Sequence, residues 1–149
     1  MFSGKKVTHL FLDVDGVLNN TMCDGWFDNF NLSNLNRLCG LLHGPRIVLS
    51  SDWRRTPANI ARVRLELNHI GLDIFDTTPV LTDVRQRHEE IAQWLSLNSH
   101  ELCIILDDME SKFVDPELPD VFFFRTNHQF GLTEDNVDFI IRFINEQVN

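Results

Sequence analysis

Asp13 and Asp15 stand one residue apart in HLFLDVDGVLNN (residues 9–20), at the end of an apolar run and directly before Gly16. In extended backbone, residues i and i+2 project to the same side, so both carboxylates can face one ligand. Gly16 lets the chain turn steeply away. A second acidic pair, Asp107 and Asp108, closes the apolar run ELCIILDD (101–108). If the two runs are neighbouring strands, these four carboxylates converge. Two like charges about 4 Å apart cost on the order of 4 kcal/mol at an effective dielectric near 20. A hard divalent cation removes that cost, and Mg²⁺ takes oxygen ligands while keeping several waters. One such pair is equally well explained as a strand-end cap or turn former; two pairs at two buried strand ends are not.

Elements that could position these acids follow from the hydrophobic pattern. VTHLFLD (7–13) reads as a buried strand, and Leu35, Leu38, Cys39 and Leu42 share one face of a helix that Gly44-Pro45 stops. RIVLS (46–50) is a second strand. Thr56 offers an N-cap before Pro57, opening a helix with Ile60, Val63, Leu67 and Ile70 inward and Gly71 at its end. A short strand is expected near Ile74-Phe75, then a helix over roughly 84–98 burying Val84, Ile91 and Leu95. Strands 101–108 and 121–124 (VFFF) follow. Thr133 caps a last helix whose first turn carries Glu134 and Asp135, with Val137, Ile140, Ile141, Ile144 and Val148 inward. Continuous apolar strands separated by helices predict an α/β fold, a parallel sheet covered on both faces. Ligands of such sheets bind beyond the C-terminal strand ends, where both acidic pairs lie.

Composition bounds the setting. The 149 residues suit one domain over 1–149 with a real core, 43% of them being apolar. A net charge of −9 disfavours nonspecific binding to nucleic acid or anionic lipid. Cys23, Cys39 and Cys103 form no CxxC pair, which fits buried thiols in a reducing compartment. Lys5 and Lys6 precede an apolar run that Asp13 cuts, so neither a signal peptide nor a membrane span is read, and the expected location is the cytoplasm. The histidines show no metal-ligand spacing, and Asp24 and Asp28 read as solvated loop residues. No GxxxxGK[ST] phosphate loop is present.

DVDGVL resembles motif I of the haloacid dehalogenase (HAD) superfamily of phosphatases. IVLSSDWRR (47–55) looks like motif II, with Ser51 the best match for its phosphate-binding hydroxyl and Ser50 the alternative. Arg87 in RHEEIAQWL looks like the motif III cation, with Arg85 competing, and IILDD looks like motif IV. More narrowly, the chain is similar to the HAD domains of Swiss Army Knife RNA repair proteins and their stand-alone relatives. The pieces are LDVDGVL, VLSSDWR, the stretch Arg87 to Leu95, LDD and FRTNHQFGLT (124–133), nearly end to end. That family often has Gly where His88 stands.

The resemblance implies a three-layer Rossmann-like fold and an Mg²⁺-dependent phosphatase. Asp13 would be the nucleophile, and Asp15 would protonate the leaving oxygen and then activate water. Asp13, Asp108 and the backbone carbonyl of Asp15 would hold Mg²⁺, with Asp107 behind them; Ser51 and Arg87 would bind phosphate. Asp15 and Asp108 together argue against a dehalogenase. Segments 17–46 and 52–86 hold little more than one helix each, so no large cap is expected and the site should be open. The expected partner is a phosphorylated substrate, a nucleotide or a nucleic-acid end. Trp53 and Arg54, with Trp26 and Arg55, are candidate contacts at the mouth; ring packing and solvated surface cations are their bland readings. Other functional readings are a non-catalytic phosphate-binding module and a phosphatase of small non-nucleotide phosphoesters. Nothing indicates an oligomer.

Overall fold

In the computed structural model, residues 4–23, 26–81, 87–109 and 118–148 are described. Their elements run β1 (Val7–Leu12), α1 (Asn29–Leu41), β2 (Arg46–Leu49), a 3₁₀ turn (Asp52–Arg55), α2 (Pro57–His69) and β3 (Ile74–Thr77). Then come α3 (Arg87–Leu97), β4 (Leu102–Asp107), β5 (Val121–Arg125) and α4 (Glu134–Val148). The five strands form one all-parallel sheet in the order β3-β2-β1-β4-β5.

Period-2 alternation divides the strand residues between two faces. Leu10, Leu12, Ile47, Leu49, Ile104 and Leu106 pack with apolar residues of α1, α2 and α4. Phe11, Val48, Cys103 and Ile105 pack with Ile91, Trp94 and Leu95 of α3. The expected parallel sheet with helices on both faces is therefore observed, and no cap domain occurs among the described residues. Fully burying each of these large side chains contributes about 1.5–3 kcal/mol.

Helix starts follow their side chains. Thr56 and Thr133 accept the backbone N–H groups of Asn59 and Asn136, at 3.2 and 3.1 Å. Asp28, expected as a solvated loop residue, is instead the N-cap of α1 and accepts from Asn31 N at 2.9 Å. A carboxylate there satisfies an otherwise orphaned donor and suits the helix dipole. The helix expected from residue 84 is described from Arg87; Val84, Arg85 and Asp24 lie outside the described residues. Cys39 and Cys103 are buried, and burial pushes both thiols up to about 12, so they pack as apolar groups. No described helix is long and apolar enough to cross a membrane.

Candidate active site

β1 lies between β2 and β4, which brings their C-terminal ends together. The register Leu12↔Leu106 sets Asp13 beside Asp107, and Asp13 N donates to Leu106 O at 3.0 Å. Asp13, Asp107 and Asp108 each offer an oxygen within 4.8 Å of the others. Asp13 is only 3% exposed. Burial and the Asp107 charge push its carboxyl up to about 8, although Arg87 pulls the other way. Burial and Asp107 also raise Asp108.

Arg87, in the first turn of α3, reaches across the strand ends. It donates to Asp107, lies 3.3 Å from Asp13 Oδ2 and 3.9 Å from Asp52 Oδ2. Burial opposes its charge, but Asp13 and Asp107 more than offset this and its pKa is raised. Asp107 also accepts from Met109 N at 2.9 Å. Burial and the neighbouring acid favour the protonated form of Asp13 despite Arg87; hard oxygen donors at this spacing fit a divalent ion such as Mg²⁺.

The expectation of four converging side-chain carboxylates is corrected to three. Asp15 is exposed, and its Oδ1 accepts from Asn19 Nδ2 at 2.9 Å and from Trp53 Nε1 at 3.2 Å. The turn itself is pinned: Asn19 Oδ1 accepts from Gly16 N at 2.8 Å, and Thr126 Oγ1 donates to Gly16 O at 2.7 Å. Gly16 has φ 78°, and a Cβ there would run into the Asp108 carboxylate. Glycine is thus required both for the backbone and for the approach of β4's acid.

Ser50 and Ser51 follow β2 and are buried. Ser51 Oγ accepts Trp53 N at 3.2 Å, which leaves its own proton to donate. Ser50 Oγ finds no partner among the described residues.

Arg54 does not lie at the mouth. Its side chain is 1% exposed, pairs with Glu90 at 2.6 Å and donates to the carbonyls of Ser50, Ser51, Thr78 and Pro79 at 2.8–3.3 Å. With its donors so occupied, its candidacy as a substrate contact is replaced by a structural position behind the Ser50-Ser51 loop. Burial lowers its pKa despite Glu90. Arg55 is the exposed member of the pair, bonded to Asp52 at 3.3 Å. Trp53 is half-buried, edge-on to Trp26 and Phe27 at 5.6 and 5.3 Å, while Trp26 is 60% exposed. Opposite, Arg125 at the end of β5 donates to Asp108 O at 3.1 Å.

Residues that sequence reasoning missed are mostly amides and hydroxyls. Asn31, buried in α1, donates to the carbonyls of Phe130 and Leu132 at 2.9 and 3.0 Å and accepts from Asn20 at 2.9 Å. It thereby ties the segment 127–132 to the loop after β1. Asn31 and Glu90 sit on the buried faces of their helices, and that polar interruption was the available signal.

An α/β domain with acids at the ends of two adjacent central strands, and a cation beside them from the helix that precedes the second, has the arrangement expected of the HAD superfamily. The model for the HAD domain in Swiss Army Knife RNA repair proteins matches residues 9–137, and the chain belongs to this family. No curated protein and no solved structure gives a match.

Proposed function

We propose that the chain is an Mg²⁺-dependent phosphomonoester hydrolase that works through an aspartyl-phosphate on Asp13. The observation that carries this reading is Asp13 itself: a buried carboxylate within 3.3 Å of Arg87, clustered with Asp107 and Asp108 at adjacent strand ends. Asp13, Asp108 and the Asp15 carbonyl would hold the ion, with Asp107 kept in place by Arg87. Bound there, Mg²⁺ would offset the charge of the acids and of the phosphate dianion.

A carboxylate oxygen of Asp13 attacks phosphorus, and the bond to the leaving oxygen breaks as Asp15 protonates it. Asp15 then takes a proton from water, whose oxygen attacks phosphorus and frees Asp13. Ser51 donates its hydroxyl proton to a phosphate oxygen, and the Arg87 guanidinium offsets the dianion's charge.

The preferred substrate is a nucleotide or a polynucleotide terminal phosphate. Support comes from the RNA repair context of the family and from the exposed Trp26, which packs on Trp53 beside Asp15. The net charge of −9 favours the second reading, small non-nucleotide phosphoesters. Buried thiols at Cys39 and Cys103 fit a cytoplasmic setting. Phosphate release from nucleotides, from 3′- and 5′-phosphorylated oligonucleotides and from sugar phosphates, with Mg²⁺ and with EDTA, tests the reading. Asp13→Asn should keep the fold and abolish turnover, since an amide forms no acyl phosphate; substantial activity in that variant overturns the mechanism.

A further inference from the structure

Asp15 is the one motif I acid outside the buried cluster, and its partners differ in kind from those of Asp13. Asp13 faces a cation, Arg87. Asp15 accepts only neutral N–H donors among the described residues, Asn19 Nδ2 at 2.9 Å and Trp53 Nε1 at 3.2 Å, and both reach Oδ1. Oδ2 is therefore the oxygen left to carry a proton outward.

Both donors are themselves held. Asn19 spends its second N–H on Trp26 O at 3.2 Å and its oxygen on Gly16 N at 2.8 Å. The Trp53 ring is braced edge-on by Trp26 and Phe27, and its backbone N–H goes to Ser51 Oγ. We infer that Trp53 and Asn19 are positioning residues that orient the Asp15 carboxyl, so that Oδ2 faces the oxygen leaving phosphorus. This rests on the phosphatase reading and deepens it. Trp53, a candidate substrate contact by sequence, acts here through Asp15. The step is unchanged in balance: the Asp13–phosphorus bond forms, the phosphorus–oxygen ester bond breaks, and the Oδ2 proton goes to the departing oxygen.

Trp53→Phe isolates the contact, because it keeps the ring packing and the backbone bond to Ser51 and removes only the indole N–H. Two aryl phosphates of similar size make the comparison, para-nitrophenyl and para-methylphenyl phosphate. The first leaves without a proton and the second needs one. kcat/KM reports steps up to departure of the leaving group, so it excludes the later hydrolysis of the aspartyl-phosphate. Trp53→Phe should lower kcat/KM about tenfold for the para-methylphenyl ester and less than about threefold for the para-nitrophenyl ester. Equal losses on both esters, or none on either, overturn the inference and leave the phosphatase reading standing. Wild-type protein that hydrolyses neither ester overturns the phosphatase reading, and this one with it. An independent readout is the indole N–H resonance of Trp53 in wild-type protein. It should move in Asp15→Ala while that of Trp94, bonded to Asp76 at 2.8 Å, stays; an unmoved Trp53 resonance overturns the inference.

Discussion

At the residue scale, the charge state of Asp13 links metal, pH and stability. Its carboxyl titrates near 8 in the folded chain against 3.8 unperturbed, raised by burial and Asp107. Between those values the folded state holds a proton that the unfolded chain has released. Metal-free stability attributable to this group therefore falls as pH rises through that window. Mg²⁺ needs ionised ligands, so its stabilisation should run the opposite way. Thermal melts should show a larger Mg²⁺-induced rise in Tm at pH 8.5 than at pH 6; the same rise at both contradicts the assignment of Asp13 to the ion site. Gly16 supplies a second prediction. Gly16 and Gly44 have φ of 78° and 76°, but only at Gly16 would a Cβ meet the Asp108 carboxylate. Gly44→Ala should cost about 1–2 kcal/mol from backbone strain alone. Gly16→Ala should cost more and also weaken Mg²⁺ binding, as read by urea denaturation and calorimetric titration.

At the scale of elements, Arg54 and Glu90 join three pieces of chain that the sequence keeps apart. Arg54 comes from the 3₁₀ turn, Glu90 from α3, and Glu90 Oε2 also accepts from Leu81 N at 3.0 Å. Breaking a buried ion pair from one side leaves an uncompensated charge, so Glu90→Leu should destabilise by about 3–5 kcal/mol. Arg54→Met should cost at least as much, because the carbonyls of Ser50, Ser51, Thr78 and Pro79 also lose their donor. Urea denaturation measures both. A loss of substrate affinity in Arg54→Met with stability unchanged would return Arg54 to the mouth of the site. The segment 124–133 has a comparable role: Thr126 bonds it to the turn at Gly16, and Asn31 of α1 holds its carbonyls.

At the scale of the whole molecule, the strand order sets what can reach the acids. β1 runs at the middle of the sheet, and the chain passes from the β2 side to the β4 side after β3, so the strand ends open at the switch in direction. No cap domain covers that opening among the described residues. A long strand of nucleic acid gains little from counterion release on a surface carrying −9. If a nucleic-acid end is the substrate, recognition should be confined to its terminal nucleotide. Phosphate release from a short oligonucleotide should then vary with salt on a log–log slope shallower than about −2. A steep slope contradicts that confinement.

The sequence by itself determined the elements and the chemical nature of the site's edge. Period-2 and period-3.6 patterns are local, as are the acid spacing in DVDG and the caps at Thr56 and Thr133, and these were legible. Sequence could state only conditionally that the two acidic strand ends meet. The register Leu12↔Leu106 decided it, through pairing across more than ninety residues of chain. Tertiary structure alone separated Arg54 from Arg55, since both follow the same strand and only packing against α3 buries one of them. It also bonded Asp15 to a tryptophan 38 positions later. Such assignments depend on which side chains the packed core brings within about 3 Å, a distance that no spacing along the chain encodes.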